Sequence, residues 1–174
     1  LTDPTDIVVC NNTATGAIVF ASTLAGTTYT WTNNNTSIGL AATSGGSVLS
    51  IPSFTAVNTT NAPIIATVTV TPLGANGCPG IQHSFTITVN PTPAVSPAPA
   101  NQSLCAGSPT APVNFTSATP GVIFNWTNTT PAIGLAASGT GNIASFTALN
   151  PGLTPLVATI TVTPLVPVGG TIPG

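Results

Sequence analysis

Three stretches of the chain alternate apolar and polar residues with a period of two. Tyr29 and Trp31 alternate with Thr28, Thr30 and Thr32; Ala66, Val68 and Val70 with Thr67, Thr69 and Thr71; Phe85, Ile87 and Val89 with Ser84, Thr86 and Thr88. Successive side chains of a strand point to opposite faces of its sheet, so this period sends the apolar set inward and the threonines outward. Short strands are expected over residues 7–10, 17–22, 28–33, 37–42, 48–54, 64–71 and 84–90. No stretch sustains a 3.6-residue period, so essentially no helix is expected. Seven short strands at this spacing predict an all-β fold and a β-sandwich architecture.

The pattern then repeats. Thr30-Trp31-Thr32-Asn33 with Ile38-Gly39-Leu40-Ala41-Ala42 returns as Asn125-Trp126-Thr127-Asn128 with Ile133-Gly134-Leu135-Ala136-Ala137, at an offset of 95. Cys10, Phe20, Gly26 and Tyr29 map to Cys105, Phe115, Gly121 and Phe124 on the same offset. A loop between Ala42 and Phe54 is three residues longer in the first copy, so Phe54 maps to Phe146 and residues 66–72 map to 158–164, at an offset of 92. Every aromatic residue except Phe85 has a partner, and that of Phe85 would fall at 177. A period above 90 residues exceeds the roughly 20–50 of solenoid repeats and matches a whole small domain. The expected organisation is a first sandwich over 1–90, a proline-rich linker over 91–100, and a second sandwich over 101–174 that lacks its last strand. Alternating prolines in the linker favour polyproline II and a semi-rigid spacer.

Composition narrows the chemistry. The 174 residues include no Lys, Arg or Met, two acids (Asp3 and Asp6) and one histidine (His83). Charged residues make up 1%, against roughly a quarter in an ordinary globular chain, so no acid–base reserve exists for catalysis and no catalytic residue is assigned. Nucleic acid is excluded as a partner because nothing neutralises phosphate. The 33 Thr and 15 Asn supply a neutral polar surface. A mean hydropathy of +0.49 with a net charge of −2 argues against disorder, which combines low hydrophobicity with high charge. The apolar runs, such as residues 7–10 and 63–66, are far shorter than the ~18 residues of a membrane span. The start, Leu1-Thr2-Asp3-Pro4, has neither an initiator Met nor a signal-peptide pattern, and the chain reads as a processed product or an excised piece.

Taken in order, Val-Cys-Asn-Asn-Thr-Ala-Thr-Gly-Ala-Ile (9–18), Thr-Thr-Tyr-Thr-Trp-Thr-Asn (27–33), Ile-Gly-Leu-Ala-Ala (38–42), Ala-Thr-Val-Thr-Val-Thr-Pro (66–72), Gly-Cys-Pro-Gly (77–80) and Phe-Thr-Ile-Thr-Val-Asn-Pro (85–91) resemble the PKD-like, immunoglobulin-like repeats of very large Bacteroidota surface proteins. These include gliding-motility adhesins exported by type IX secretion. The resemblance implies tandem immunoglobulin-like (PKD-like) sandwiches in a non-catalytic, extracellular, cell-surface stalk or filament without cofactors. Its partners would be neighbouring repeats or identical subunits, and a surface polysaccharide or solid surface. The alternative is a pilin-like filament subunit that polymerises by strand exchange into the incomplete second domain, with the start, residues 5–9, as donor.

Individual residues are weighed against that background. A disulfide between Cys10 and Cys78 would staple the first strand to the final hairpin, and the extracellular composition favours it over two buried free thiols. Cys105 aligns its missing partner with Gly170 and is expected as an unpaired thiol, with pairing to another chain as the alternative. Phe20, Trp31, Phe54, Phe85, Phe115, Trp126 and Phe146 are the expected core. The two tryptophans could also be read as carbohydrate-stacking platforms, but their inward position in both copies favours packing. His83 stands alone and is read as a solvated loop residue, with no metal site assigned. Asp3 and Asp6 with asparagine carbonyls make a weak calcium motif. The Thr-x-Thr rows could form an ice-binding face, but sheets twist, and threonine is also what a strand needs outside when charge is excluded. Without Lys or Arg, trypsin-like proteases find no cleavage site, which suggests durability outside the cell.

Overall fold

The structure, a computed structural model, describes residues 4–166. The chain divides into two compact units, Leu1–Thr92 and Pro93–Gly174. Unit 1 contains β1 (Ile7–Cys10), β2 (Ile18–Val19), β3 (Thr28–Asn33), β4 (Ser50–Ile51), β5 (Ile64–Leu73) and β6 (His83–Asn90). Unit 2 contains β7 (Ile123–Asn128), β8 (Ser138–Thr140) and β9 (Ile160–Leu165).

In unit 1 a four-stranded sheet of order β1-β6-β5-β3 faces the two-stranded sheet β2-β4. β1 runs parallel to β6, and β5 is antiparallel to both β6 and β3. The period-two pattern selects the face: Tyr29, Trp31, Val68, Val70, Phe85, Ile87 and Val89 are all buried in one core with Phe20, Ile38 and Ile51. Phe54 is half-buried against that core. Phe20 and Tyr29 pack as a tilted ring pair with centroids 5.1 Å apart. Burying side chains of this size stabilises a fold by about 1.5–3 kcal/mol each, which a chain without ion pairs must rely on.

The strand expected over 37–42 is not formed. Thr36–Ile38 is a single 3-10 turn instead, with Asn35 as its cap and Gly39 closing it at φ 92°. A Cβ on Gly39 would lie 2.6 Å from the carbonyl oxygen of Thr55, so backbone and loop meet too closely for any other residue. The strands expected over 17–22 and 48–54 shorten to Ile18–Val19 and Ser50–Ile51.

Two buried asparagines hold the loops of unit 1. Asn33 Nδ2 donates to the carbonyls of Leu40 (3.0 Å), Ala41 (3.3 Å) and Asn35 (3.1 Å), while its Oδ1 accepts from the Asn35 amide at 3.0 Å. Asn58, 2% exposed, donates to Ala62 O (2.8 Å) and to Val89 O of β6 (2.7 Å). Each satisfies backbone groups that irregular chain would otherwise bury unpaired.

Unit 2 is a three-stranded antiparallel sheet of order β8-β7-β9. Its buried core is Phe115, Trp126 and Ile143, with Phe124, Phe146, Ile160 and Val162 packed around it. The hydrogen bonds of unit 1 recur in it: Thr13 N to Cys10 O corresponds to Ser108 N to Cys105 O, and Val57 N to Ile38 O corresponds to Leu149 N to Ile133 O. Asn128 repeats Asn33 by donating to Leu135 O (3.0 Å) and Ala136 O (3.2 Å). Gly139 lies against the Trp126 ring, where a Cβ would sit 2.3 Å from a ring carbon.

The expected linker 91–100 is not a separate segment. Pro91 is buried in unit 1, and Thr92 Oγ1 accepts from Asn11 there. Val95 packs into the core of unit 2, where the Ser96 amide donates to Thr116 O.

Candidate functional site

The outer face of the four-stranded sheet of unit 1 is the most regular chemical surface of the described residues. Register places Thr30 beside Thr71, Thr32 beside Thr69, Thr69 beside Ser84, and Thr67 beside Thr86. Thr69 and Ser84 hydroxyls are 3.0 Å apart, and Gln82 Nε2 donates to Thr71 Oγ1 at 3.1 Å. The face is a neutral array of half-buried hydroxyls, in which cross-strand pairs contribute a few tenths of a kcal/mol each. It carries no group able to transfer a proton near neutral pH.

Asp6 binds the margin of this face. Its Oδ1 accepts from the Thr86 amide at 2.7 Å, and this backbone hydrogen bond, helped by the Thr86 side chain, holds the carboxyl below its ordinary range. A depressed carboxylate pKa contributes stability that is present above the unfolded value, about pH 3.9, and lost as pH falls through the folded value. Acidification from neutral to about pH 3 is therefore expected to lower the unfolding temperature of unit 1. Asp6→Asn should remove that step, as thermal unfolding followed by circular dichroism at both pH values would show. The carboxylate is committed to Thr86, and Asp3 lies outside the described residues. Among the described residues no group of three or more His, Cys, Asp or Glu side chains could hold a metal ion.

The disulfide expectation is corrected. Cys10, Cys78 and Cys105 are all free and exposed, so neither buried thiols nor a Cys10–Cys78 bridge is formed. Cys10 pairs with Asn90 at the end of β6, whereas Cys78 lies in the turn before His83, where β6 begins. The strand between them covers roughly 20 Å at about 3.3 Å per residue, and a disulfide tolerates Cα atoms only up to about 7 Å apart. Cys78 and His83 instead line, with Ser22, Leu24 and Ile81, an open hollow of about 360 Å³ at the β5–β6 turn. His83 is the first residue of β6, opposite Val70, rather than a loop residue.

Trp31 and Trp126 are 6% and 7% exposed, which leaves neither ring face open to stack on a sugar. The indole N–H of each is buried without a hydrogen-bond partner. The asparagine anchors Asn33, Asn58 and Asn128 were missed by the sequence reading, although Trp-Thr-Asn recurs intact at 31–33 and 126–128.

An all-β unit with two facing sheets, a tryptophan-centred core and a hydroxyl-bearing outer face defines an immunoglobulin-like structural module. The PKD-like domain family matches residues 7–93, half of the chain, and the chain belongs to that family. PKD-like domains are typically non-catalytic structural modules, are often found in extracellular proteins and often mediate protein interactions. No curated protein sequence matches the chain significantly. No helix among the described residues is long and apolar enough to cross a membrane.

Proposed function

We propose that the chain is a tandem pair of PKD-like sandwiches acting as a non-catalytic structural segment of a long extracellular adhesin or filament stalk. The observation that carries this reading is recurrence: the aromatic core positions return at offsets of 95 and 92, within a chain whose residues 7–93 are PKD-like. Repetition of a whole module adds length rather than chemistry. Near-absence of charge leaves nothing for trypsin-like proteases to cut and suits a protein that must persist outside the cell. The resemblance to Bacteroidota repeats supports a surface protein of the gliding-adhesin, type IX-secreted kind. Its contacts would be neighbouring repeats or identical subunits, and a polysaccharide or solid surface.

An antibody raised against this chain tests the reading on native material, denatured and reduced. The expected result is a reactive polypeptide of hundreds of kilodaltons that also labels intact, unpermeabilised cells. A polypeptide near 17 kDa, or labelling only after permeabilisation, would overturn it.

A further inference from the structure

The two units differ most at one sheet edge. In unit 1, β5 is ten residues long and is paired on both sides. Its first four residues, Ile64, Ile65, Ala66 and Thr67, pair only with β6, because β3 begins its ladder at Val68. In unit 2 the corresponding strand, β9, pairs only with β7 among the described residues, and it is six residues long. Residues 156–159, which match 64–67 at the offset of 92, are not strand. The shortening coincides with the residues whose only ladder partner in unit 1 is β6.

Three further features mark the same edge. Val68 and Val70 are fully buried under Phe85, Ile87 and Val89 of β6, whereas their counterparts Ile160 and Val162 are only half-buried. Leu104, which matches Val9 of β1, is 46% exposed, and residues 101–105 form no strand, since β1 pairs only with β6. Asn150 matches Asn58. Its Oδ1 accepts from the Gly152 amide and its Nδ2 donates to Thr154 O, both at 2.9 Å, as Asn58 does with Thr60 and Ala62. The remaining Asn58 bond, to Val89 O of β6, has no counterpart, so one N–H of Asn150 finds no acceptor in the protein.

We infer that the free edge of β9 is a docking site for an extended segment of another polypeptide with the chemistry of β6. That segment is uncharged and alternates large apolar residues with Ser or Thr. It lies antiparallel to β9, covers Ile160 and Val162, and presents a backbone carbonyl to Asn150 Nδ2. Main-chain pairing supplies affinity and the alternating apolar side chains supply specificity, as in other strand additions to a sheet edge. The occupied edge of β5 is the template for this geometry. The inference rests on reading residues 93–174 as a second module of the same kind.

A labelled synthetic peptide with the sequence of residues 82–91, carrying a soluble tail, tests it against the 174-residue chain. The expected result is saturable 1:1 binding, with slowed hydrogen exchange at the amides of residues 158–163. A peptide with proline in place of Ile87 should not bind, because it lacks an N–H for the ladder. Asn150→Ala should weaken binding about tenfold while β7–β9 exchange in the free protein stays unchanged. Absence of binding would overturn the proposal, as would protection of the same amides by dimerisation of the chain alone. Protection already complete in native material, with no uptake of peptide, would place the strand in the same polypeptide and overturn it too. These outcomes are independent of the native mass that tests the stalk reading.

Discussion

Trp31→Ala is expected to cost unit 1 about 3–5 kcal/mol, the range for deleting a large aromatic side chain from a core. Trp31 sits at the centre of β3, opposite Val70 on β5. On its other side its carbonyl accepts from the Ser44 amide at 3.0 Å. Phe20, Val68, Phe85 and Ile87 belong to the same buried cluster, so the cavity left behind has rigid walls and collapses poorly. A domain of this size has only about 5–15 kcal/mol in total, and each kcal/mol shifts its unfolding temperature by roughly 4–8 °C. The unfolding transition of unit 1 should therefore fall by more than about 10 °C, measured by near-UV circular dichroism. Trp31→Phe should cost much less, because it keeps an aromatic filler and removes an indole N–H that is buried without a partner. A loss below about 1 kcal/mol for the alanine variant would mean that the ring does not organise the core.

This expectation was legible in the sequence because a period of two has only one solution when one face is buried. Trp31, Phe85 and the Val68–Val70 pair announced their face, and a recurrence 95 residues on placed Trp126 without any structural knowledge. What was hidden was whatever depends on non-local closure. Residues 37–42 carry strand-like apolar alternation, yet the approach of Gly39 to Thr55 O turns them into a 3-10 corner. The separation of Cys10 from Cys78 follows from a parallel β1–β6 pairing, which no local pattern encodes. With β1 parallel to β6, Cys10 falls at the far end of the strand that Cys78 precedes. The asparagines were hidden for another reason: among fifteen in the chain, nothing in the composition separates a buried anchor from a solvated loop residue.

Asn33→Ala is the sharper test of that distinction, with an expected loss on the order of 3 kcal/mol. The substitution removes a donor that serves three carbonyls and an acceptor that serves the Asn35 amide, at a site only 7% exposed. Leaving a buried backbone group unpaired costs about 1–3 kcal/mol, and the Leu40 carbonyl, whose bond is the fully buried one, bears most of that penalty. Asn33→Asp should be at least as damaging despite being nearly isosteric. It keeps the acceptor for Asn35 but turns a carboxylate oxygen toward the Leu40 and Ala41 carbonyls, where only a donor is tolerated. Asn128→Ala should cost unit 2 less than Asn33→Ala costs unit 1, since Asn128 Nδ2 serves two carbonyls rather than three. Chemical denaturation with a probe for each unit reads these differences as shifts in midpoint. Equal, near-zero shifts for Asn33→Ala and Asn33→Asp would show that water replaces the side chain at no cost and that the loop from Asn35 to Ala41 is held by its 3-10 turn alone.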